Sequence, residues 1–180
     1  ETSKWRKKAE RDVRDVGKVF RNLAIAGGIG LLTKKVIEAS STQERAVRQL
    51  EQGWKSTAGV VGLTVEQMTQ HAADLQKTSL FGDEQIIEAQ SKLITFTNIA
   101  DEQFKKATVA ALDMSSRMGT DLSSAVVQIG KVLNDPVANL SALNRVGIQF
   151  SDTQEDLIKG LAKSGDLMGA QNVILKEMER

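Results

Sequence analysis

The sequence predicts an all-α protein, a bundle of short amphipathic helices with a longer N-terminal helical arm. Three observations lead there. The 180 residues include a single proline, so the residue most disruptive to helices is almost absent. Apolar residues recur at alternating intervals of three and four, the period of one helix face. The periodic stretches are separated by glycines and by side-chain pairs that cap helix starts. Aromatics make up 4% of the chain and tyrosine is missing, so the core is expected from Leu, Ile, Val, Ala and Met.

Taken in order, residues 1–57 read as an arm with a connecting helix, 58–63 as a joint, and 64–180 as a compact helical domain. In the arm, Trp5, Ala9, Val13, Val16, Phe20, Leu23 and Gly27 recur at helical spacing. Lys7, Arg11, Arg14, Lys18 and Arg21 keep the same rhythm two positions out of step. Two residues turn a helix by about 200°, which sets the basic stripe opposite the apolar one. Residues 1–22 carry eight Lys/Arg against four Asp/Glu, and the remainder 16 against 19. A basic arm therefore precedes a mildly acidic body. The apolar run "LAIAGGIGLL", 23–32, is too short to span a bilayer and reads as close helix packing through Ala24, Ala26, Gly27 and Gly30. The chain starts without Met and Arg180 falls inside a helical pattern, so both ends read as cuts in a longer protein.

Ser41 with Glu44 and Thr64 with Gln67 fit the capping box. The first pair is expected to open a helix presenting Val47, Leu50 and Trp54, the second one presenting Val65, Met68, Ala72 and Leu75. "AGVVGL" lies between them as the joint. A helix after Gly82 carries acidic residues in its first turn, where the helix dipole favours them. Phe104, Ala107, Ala111, Met114 and Met118 form a seam that Gly119 ends, and Thr120 is expected to cap a helix with the face Leu122, Val126, Ile129 and Leu133. No helix longer than about 20 residues is expected beyond the arm.

The least ordinary stretch is "IGKVLNDPVANLSALNRVGIQFS", 129–151. Pro136 suits the first position of a helix because its missing N–H has no partner there, and Asp135 suits the cap before it. Val137, Leu140 and Leu143 are expected to point inward up to Gly147, and "VGIQF" alternates as a short extended piece. Ser151 and Gln154 form a third capping box, opening a helix that buries Leu157, Ile158 and Leu161 and stops at Gly165. Asp166 caps a last helix with Leu167, Ala170, Ile174 and Met178.

Chemistry is hard to place on these residues. "AVVQIGKV", 125–132, has Ala125 where a phosphate loop needs its first glycine and Val132 where it needs a hydroxyl. "GGIG", 27–30, lacks the third glycine of a dinucleotide fingerprint. Without cysteine, and with His71 as the only histidine, a metal site or triad would have to be built mostly from carboxylates. His71 reads as a half-exposed helix residue. The basic stripe of the arm is the best candidate for partner contact, since five cations on one face suit phosphates or an acidic protein wall. The plainer reading is a solvated face, because Glu10, Asp12 and Asp15 dilute it and no aromatics interleave.

Four blocks carry a family resemblance. They are "LFGDEQIIEAQSKLITFTNI", "FKKATVAALDMSSRMGTDLSSAVVQIGKVLNDPVANLSALNRVGIQFS", "TQEDLIKGLAKSGDLMGAQNVILKEME" and, more loosely, "EASSTQERAVRQLEQ". Together they resemble the tail length tape-measure proteins of long-tailed phages and prophages, from about residue 37 to 179. The most specific part is Gly130, Lys131, Asn134, Asp135 and Pro136, followed by Leu140, Leu143, Gly147, Phe150, Gly165 and Asp166. Val132 departs from the family's usual Ala, and the "LFG" before Asp83 often has a Ser there. The resemblance implies a structural virion protein with no catalytic role, cofactor, metal or small-molecule substrate. It implies that the tail tube polymerises around a largely helical chain whose length sets tail length, and that the protein leaves ahead of the DNA. Implied partners are the tail tube protein, a tail assembly chaperone and further copies of itself, with membrane or DNA contact at ejection. The implied location is the phage tail interior, reached from the host cytoplasm during assembly. The alternative is a helical module that engages membrane or DNA during genome delivery.

Overall fold

The computed structural model describes the backbone of residues 29–179 and the side chains of 41–179. The basic stripe of Lys7, Arg11, Arg14, Lys18 and Arg21, and the apolar stripe opposite it, lie outside the described residues. The chain divides into two compact units, Glu1–Thr42 and Gln43–Arg180, and the packing below is that of the second. The described residues form α-helices joined by turns and short loops, with no strand among them.

The elements are α1 (Ile29–Ser56), α2 (Val65–Gln76), α3 (Asp83–Leu93), α4 (Asp101–Met118), α5 (Leu122–Asn134), α6 (Pro136–Asn139), α7 (Ser141–Asn144), α8 (Asp152–Lys163) and α9 (Leu167–Met178). Helix α5 is central, packing against α3 and α4 and leading into α6 and α7, while α8 and α9 pair and α9 returns to α4. The core is mainly aliphatic, as expected: Ile86, Ile87, Leu93, Val126, Ile129, Leu133, Leu143, Ile158 and Ile174 are buried, with the aromatics Phe104 and Phe150 among them. From α1, Ala46 and Leu50 are buried, with Val47 and Trp54 packed at the edge.

Local signals account for most helix ends. Thr64 and Gln67 exchange both capping bonds, at 2.8 and 3.1 Å, and Ser151 and Gln154 do the same at 2.9 and 3.3 Å. Asp83 and Glu84 occupy the first turn of α3. The αL caps at Gly147 (φ 82°) and Gly165 (φ 91°) close α7 and α8 in the same way. Ile148 N–H reaches Leu143 O at 3.1 Å while Gly147 N–H reaches Asn144 O at 3.2 Å, and Asp166 and Gly165 repeat both bonds on Leu161 and Ala162 at 2.9 and 3.2 Å. Two nested bonds of this kind use up carbonyls that the last helical turn leaves unpaired.

Several expectations need correction. Ser41 and Glu44 do not open a helix, because α1 runs through them for 28 residues. Strong helix formers lie on both sides with no glycine or proline to break the chain, so a capping pair alone does not start a new helix. The cap of α5 is Asp121, whose carboxylate accepts from Ser124 N–H at 2.9 Å. Thr120 instead offers its carbonyl to Ser115 Oγ at 2.5 Å. Val137 is 43% and Leu157 50% exposed. Pro136 itself takes the buried place in the single turn of α6, and one residue further on turns Val137 outward by about 100°. On α8 the inward line runs through Ile158 with Leu161 and Ala162 beside it, leaving Leu157 at the margin. Met118 is 40% exposed because α4 ends there, beyond the seam it was expected to extend.

Candidate functional site

The most specific residues of the sequence converge on the corner between α5 and α6. Pro136 lacks an N–H, so Val132 O has no donor four residues on, and the last carbonyls of α5 are left over in a buried place. Groups distant in sequence supply donors. Gln171 of α9, 2% exposed, donates both amide hydrogens, to Leu133 O at 2.9 Å and Asn98 O at 2.8 Å. Asn98, in the segment joining α3 and α4, donates through Nδ2 to Asn134 O at 3.0 Å. Its backbone N–H donates to Asn134 Oδ1 at 3.2 Å. Two chain segments, α9 and the connection between α3 and α4, are thereby tied to the end of α5.

Several motif residues lie at this corner or lead into it. A Cβ on Gly130 would stand 2.3 Å from the Phe96 ring, so only glycine lets that ring lie on α5. Lys131 is exposed in the last turn of α5, where the helix dipole favours a cation. Asp135 caps α6 by accepting from Ala138 N–H at 3.2 Å. Leu140, Leu143 and Phe150 enter the core. Asp166 accepts from Gly169 N–H at 2.9 Å, starting the helix that delivers Gln171. Gly169 must be glycine as well, since its Cβ would meet the Asp166 carboxylate at 2.3 Å.

The buried amides were missed by sequence reading. Gln90, Gln103, Thr108, Ser115 and Gln171 are buried polar residues, and several bridge helices. Gln103 Nε2 donates to Asn172 Oδ1 at 2.9 Å, and Gln128 Nε2 to Ala142 O at 2.9 Å. Glutamine reads as solvent-facing in a periodicity argument, and the only available hint was its fall on an apolar stripe, as Gln171 does beside Ala170 and Ile174.

His71 sits half-buried on α2. The Gln90 side-chain amide lies 3.3 Å from its Nδ1. Burial, and then the nearby Lys105, push the imidazole below its ordinary pKa, against weaker pulls from Asp74 and Glu102. The cleft beside it, about 290 Å³, is lined by Glu102, Lys105, Lys106, Asp113 and Glu179 among others, so its charges are mixed. Among the described residues no cluster of three or more His, Cys, Asp or Glu could hold a metal ion. No helix among them is long and apolar enough to cross a membrane.

Three outcomes follow. Gln171→Leu leaves the Leu133 and Asn98 carbonyls buried without that donor, and denaturant unfolding should register a loss of about 2–3 kcal/mol. Asn98→Ala removes the bond to Asn134 O and Asn134→Ala the bond from the Asn98 N–H; a double-mutant cycle should show the two substitutions coupled, because each bond holds the same two segments in the geometry the other needs. For His71, the folded state holds the lower pKa, so the unfolded chain binds more protons as pH falls through the ordinary value of 6.5. Stability is full above that pH and declines below it; the urea midpoint should fall between pH 7 and pH 5 by less in His71→Gln than in the parent chain.

No curated protein and no solved structure matches the chain. The family model described as prophage tail length tape measure protein matches residues 12–170, most of the chain, taking in α5 and α6 and ending one residue before Gln171. The chain therefore belongs to the prophage tail length tape measure protein family.

Proposed function

We propose that this chain is a ruler segment of a phage tail, in which a helical arm and a folded helical body set tail length together as the tail tube assembles. Membership of the family gives the tail-length role and the setting in the virion tail. The observation that supports the finer reading is the use of the family-specific residues. Asn134 and Pro136 stand where α5 ends, Asp135 and Asp166 cap α6 and α9, and α9 brings Gln171 back to the end of α5, a structural assignment that needs no substrate. In this reading residues 1–57 are the arm, 58–63 the joint and 64–180 the body. The protein works without a cofactor and not as an enzyme. It meets the tail tube protein, a tail assembly chaperone and other copies of itself, passes from the host cytoplasm into the tail interior during assembly, and leaves ahead of the DNA.

The length role follows from helix geometry. A helix rises about 1.5 Å per residue, so 28 residues of extended arm correspond to about 42 Å of tail. In-frame removal of residues 15–42 from the parent protein should shorten tails by about that amount in electron micrographs, and duplication should lengthen them equally. Tails of unchanged length would overturn the ruler reading for the arm.

A second reading rests on the net charge of +4 in residues 1–22, eight cations less four anions. Lys7, Arg11, Arg14, Lys18 and Arg21 on one helix face suit anionic lipid or DNA phosphate at genome delivery. It expects binding of the chain to duplex DNA or anionic vesicles that weakens steeply with salt and is lost when Arg11, Arg14 and Lys18 become Ala. No binding at low salt leaves the ruler role alone.

A further inference from the structure

Among the described residues only two that are not glycine have a left-handed backbone, Ala58 (φ 51°) and Asp101 (φ 48°). They are 43 positions apart, yet they belong to one feature. Asp101 N–H donates to Val61 O at 2.8 Å, and a Cβ on Gly62 would fall 2.1 Å from Asp101 Oδ1. The turn of residues 57–63 and the start of α4 are thus held against each other, each with one residue in a conformation its side chain disfavours.

The turn is a helix end built with the wrong residue. Gly59 N–H reaches Trp54 O at 3.0 Å and Ala58 N–H reaches Lys55 O at 3.2 Å, the nested pair that closes α7 and α8. In those two cases glycine occupies the left-handed position; here alanine does, the residue that most favours continuing a helix. Gly59 and Gly62 are also left-handed, at φ 69° and 73°, and a Cβ on Gly59 would lie 3.0 Å from the Trp54 ring. What α1 places on the body through this turn is compact: Ala46 and Leu50 buried, Trp54 donating Nε1–H to Leu63 O at 2.8 Å, and Gly53 against Ile94.

We infer that the 57–63 turn is an exchange hinge, and that the partner on this surface is a second copy of the chain. Opening the hinge lets α1 run on toward α2 as one helix, with Ala58 right-handed and Asp101 free to relax. Residues 43–56 then seat Ala46, Leu50 and Trp54 on the body of the other copy, so the same contacts form between chains instead of within one. Strained connections favour such exchange because the contacts of residues 43–56 are kept and only the closed form carries the strain, against which stands the burial of Val61 and Leu63 in the closed turn. Gly59 and Gly62 oppose it, being costly in a helix and at ease in the turn. This names the surface for the self-association proposed above. It stands on the turn's geometry, and a failed tail-length experiment would leave it untouched.

The chain contains no cysteine, so a pair introduced as Gly53→Cys and Ile94→Cys reports directly. A Cβ at Gly53 lies 2.9 Å from Ile94 Cγ2, within reach of a disulfide. Oxidised after refolding at rising concentration, the 180-residue chain should yield covalent dimers on a non-reducing gel in growing proportion. In the same background Ala58→Gly, which suits the turn and disfavours the helix, should raise the dimer dissociation constant about tenfold. Gly59→Ala with Gly62→Ala should lower it. Bonds formed only within single chains at every concentration, with the native turn, would overturn the proposal even if the double-alanine variant fails to fold; a larger dimer share in Ala58→Gly would also overturn it.

Discussion

The body depends on satisfying peptide groups where helices stop. Burying apolar surface draws the short helices together, but that force is non-directional and does not say which helix end meets which. With many brief helices the unpaired N–H and C=O groups are numerous relative to the core, and leaving them buried without partners costs more than a typical bond contributes. The α5–α6 corner concentrates this demand, because Pro136 withdraws a donor in the middle of the fold. Gln171, Asn98 and Asn134 meet it with amide groups from three parts of the chain. An amide offers donors and acceptors without charge, so it can be buried at a helix end without the desolvation penalty of an ion.

Glycine performs the complementary task by removing bulk. At Gly130 the missing Cβ admits Phe96, and at Gly169 it admits the Asp166 carboxylate that begins α9. Both contacts feed the same corner: Phe96 stands two residues before Asn98, and α9 carries Gln171. Surface ion pairs add little beside them. Arg48 with Glu44, Lys77 with Asp74 and Lys105 with Glu102 are local helix pairs with exposed partners, a class that contributes only a few tenths of a kcal/mol.

What could be read from the sequence was what is local. Thr64–Gln67, Ser151–Gln154, Asp135–Pro136, Asp166 and the glycines at 119, 147 and 165 act within a turn or two, and their roles follow from residue type and spacing. The faces of α2 and α5 were legible for the same reason. What misled was competition between local signals: Ser41–Glu44 lost to uninterrupted helix formers, and Thr120 lost to Asp121 one residue along. What could not be read was the destination of the amides. Nothing in the spacing of Gln171 reveals that it meets Leu133, 38 residues away, because that meeting is decided by how α9 folds back onto the body. The motif could be recognised as unusual, while its purpose lay in residues outside it.

The two kinds of corner in this chain differ in how they are held, and the difference separates α1 from the rest. The α5–α6 corner is closed by amide bonds from Gln171 and Asn98, so opening it leaves the buried Gln171 amide and the Leu133 carbonyl without each other. The 57–63 turn is closed by apolar packing of Val61 and Leu63 and by single bonds from Trp54 and Asp101, while Ala58 and Asp101 pull against it. A helix running on through the turn would supply its backbone groups with partners of its own, which the proline corner can never do. One corner therefore fixes the body, and the other joins to it a helix whose attachment the sequence has left under strain.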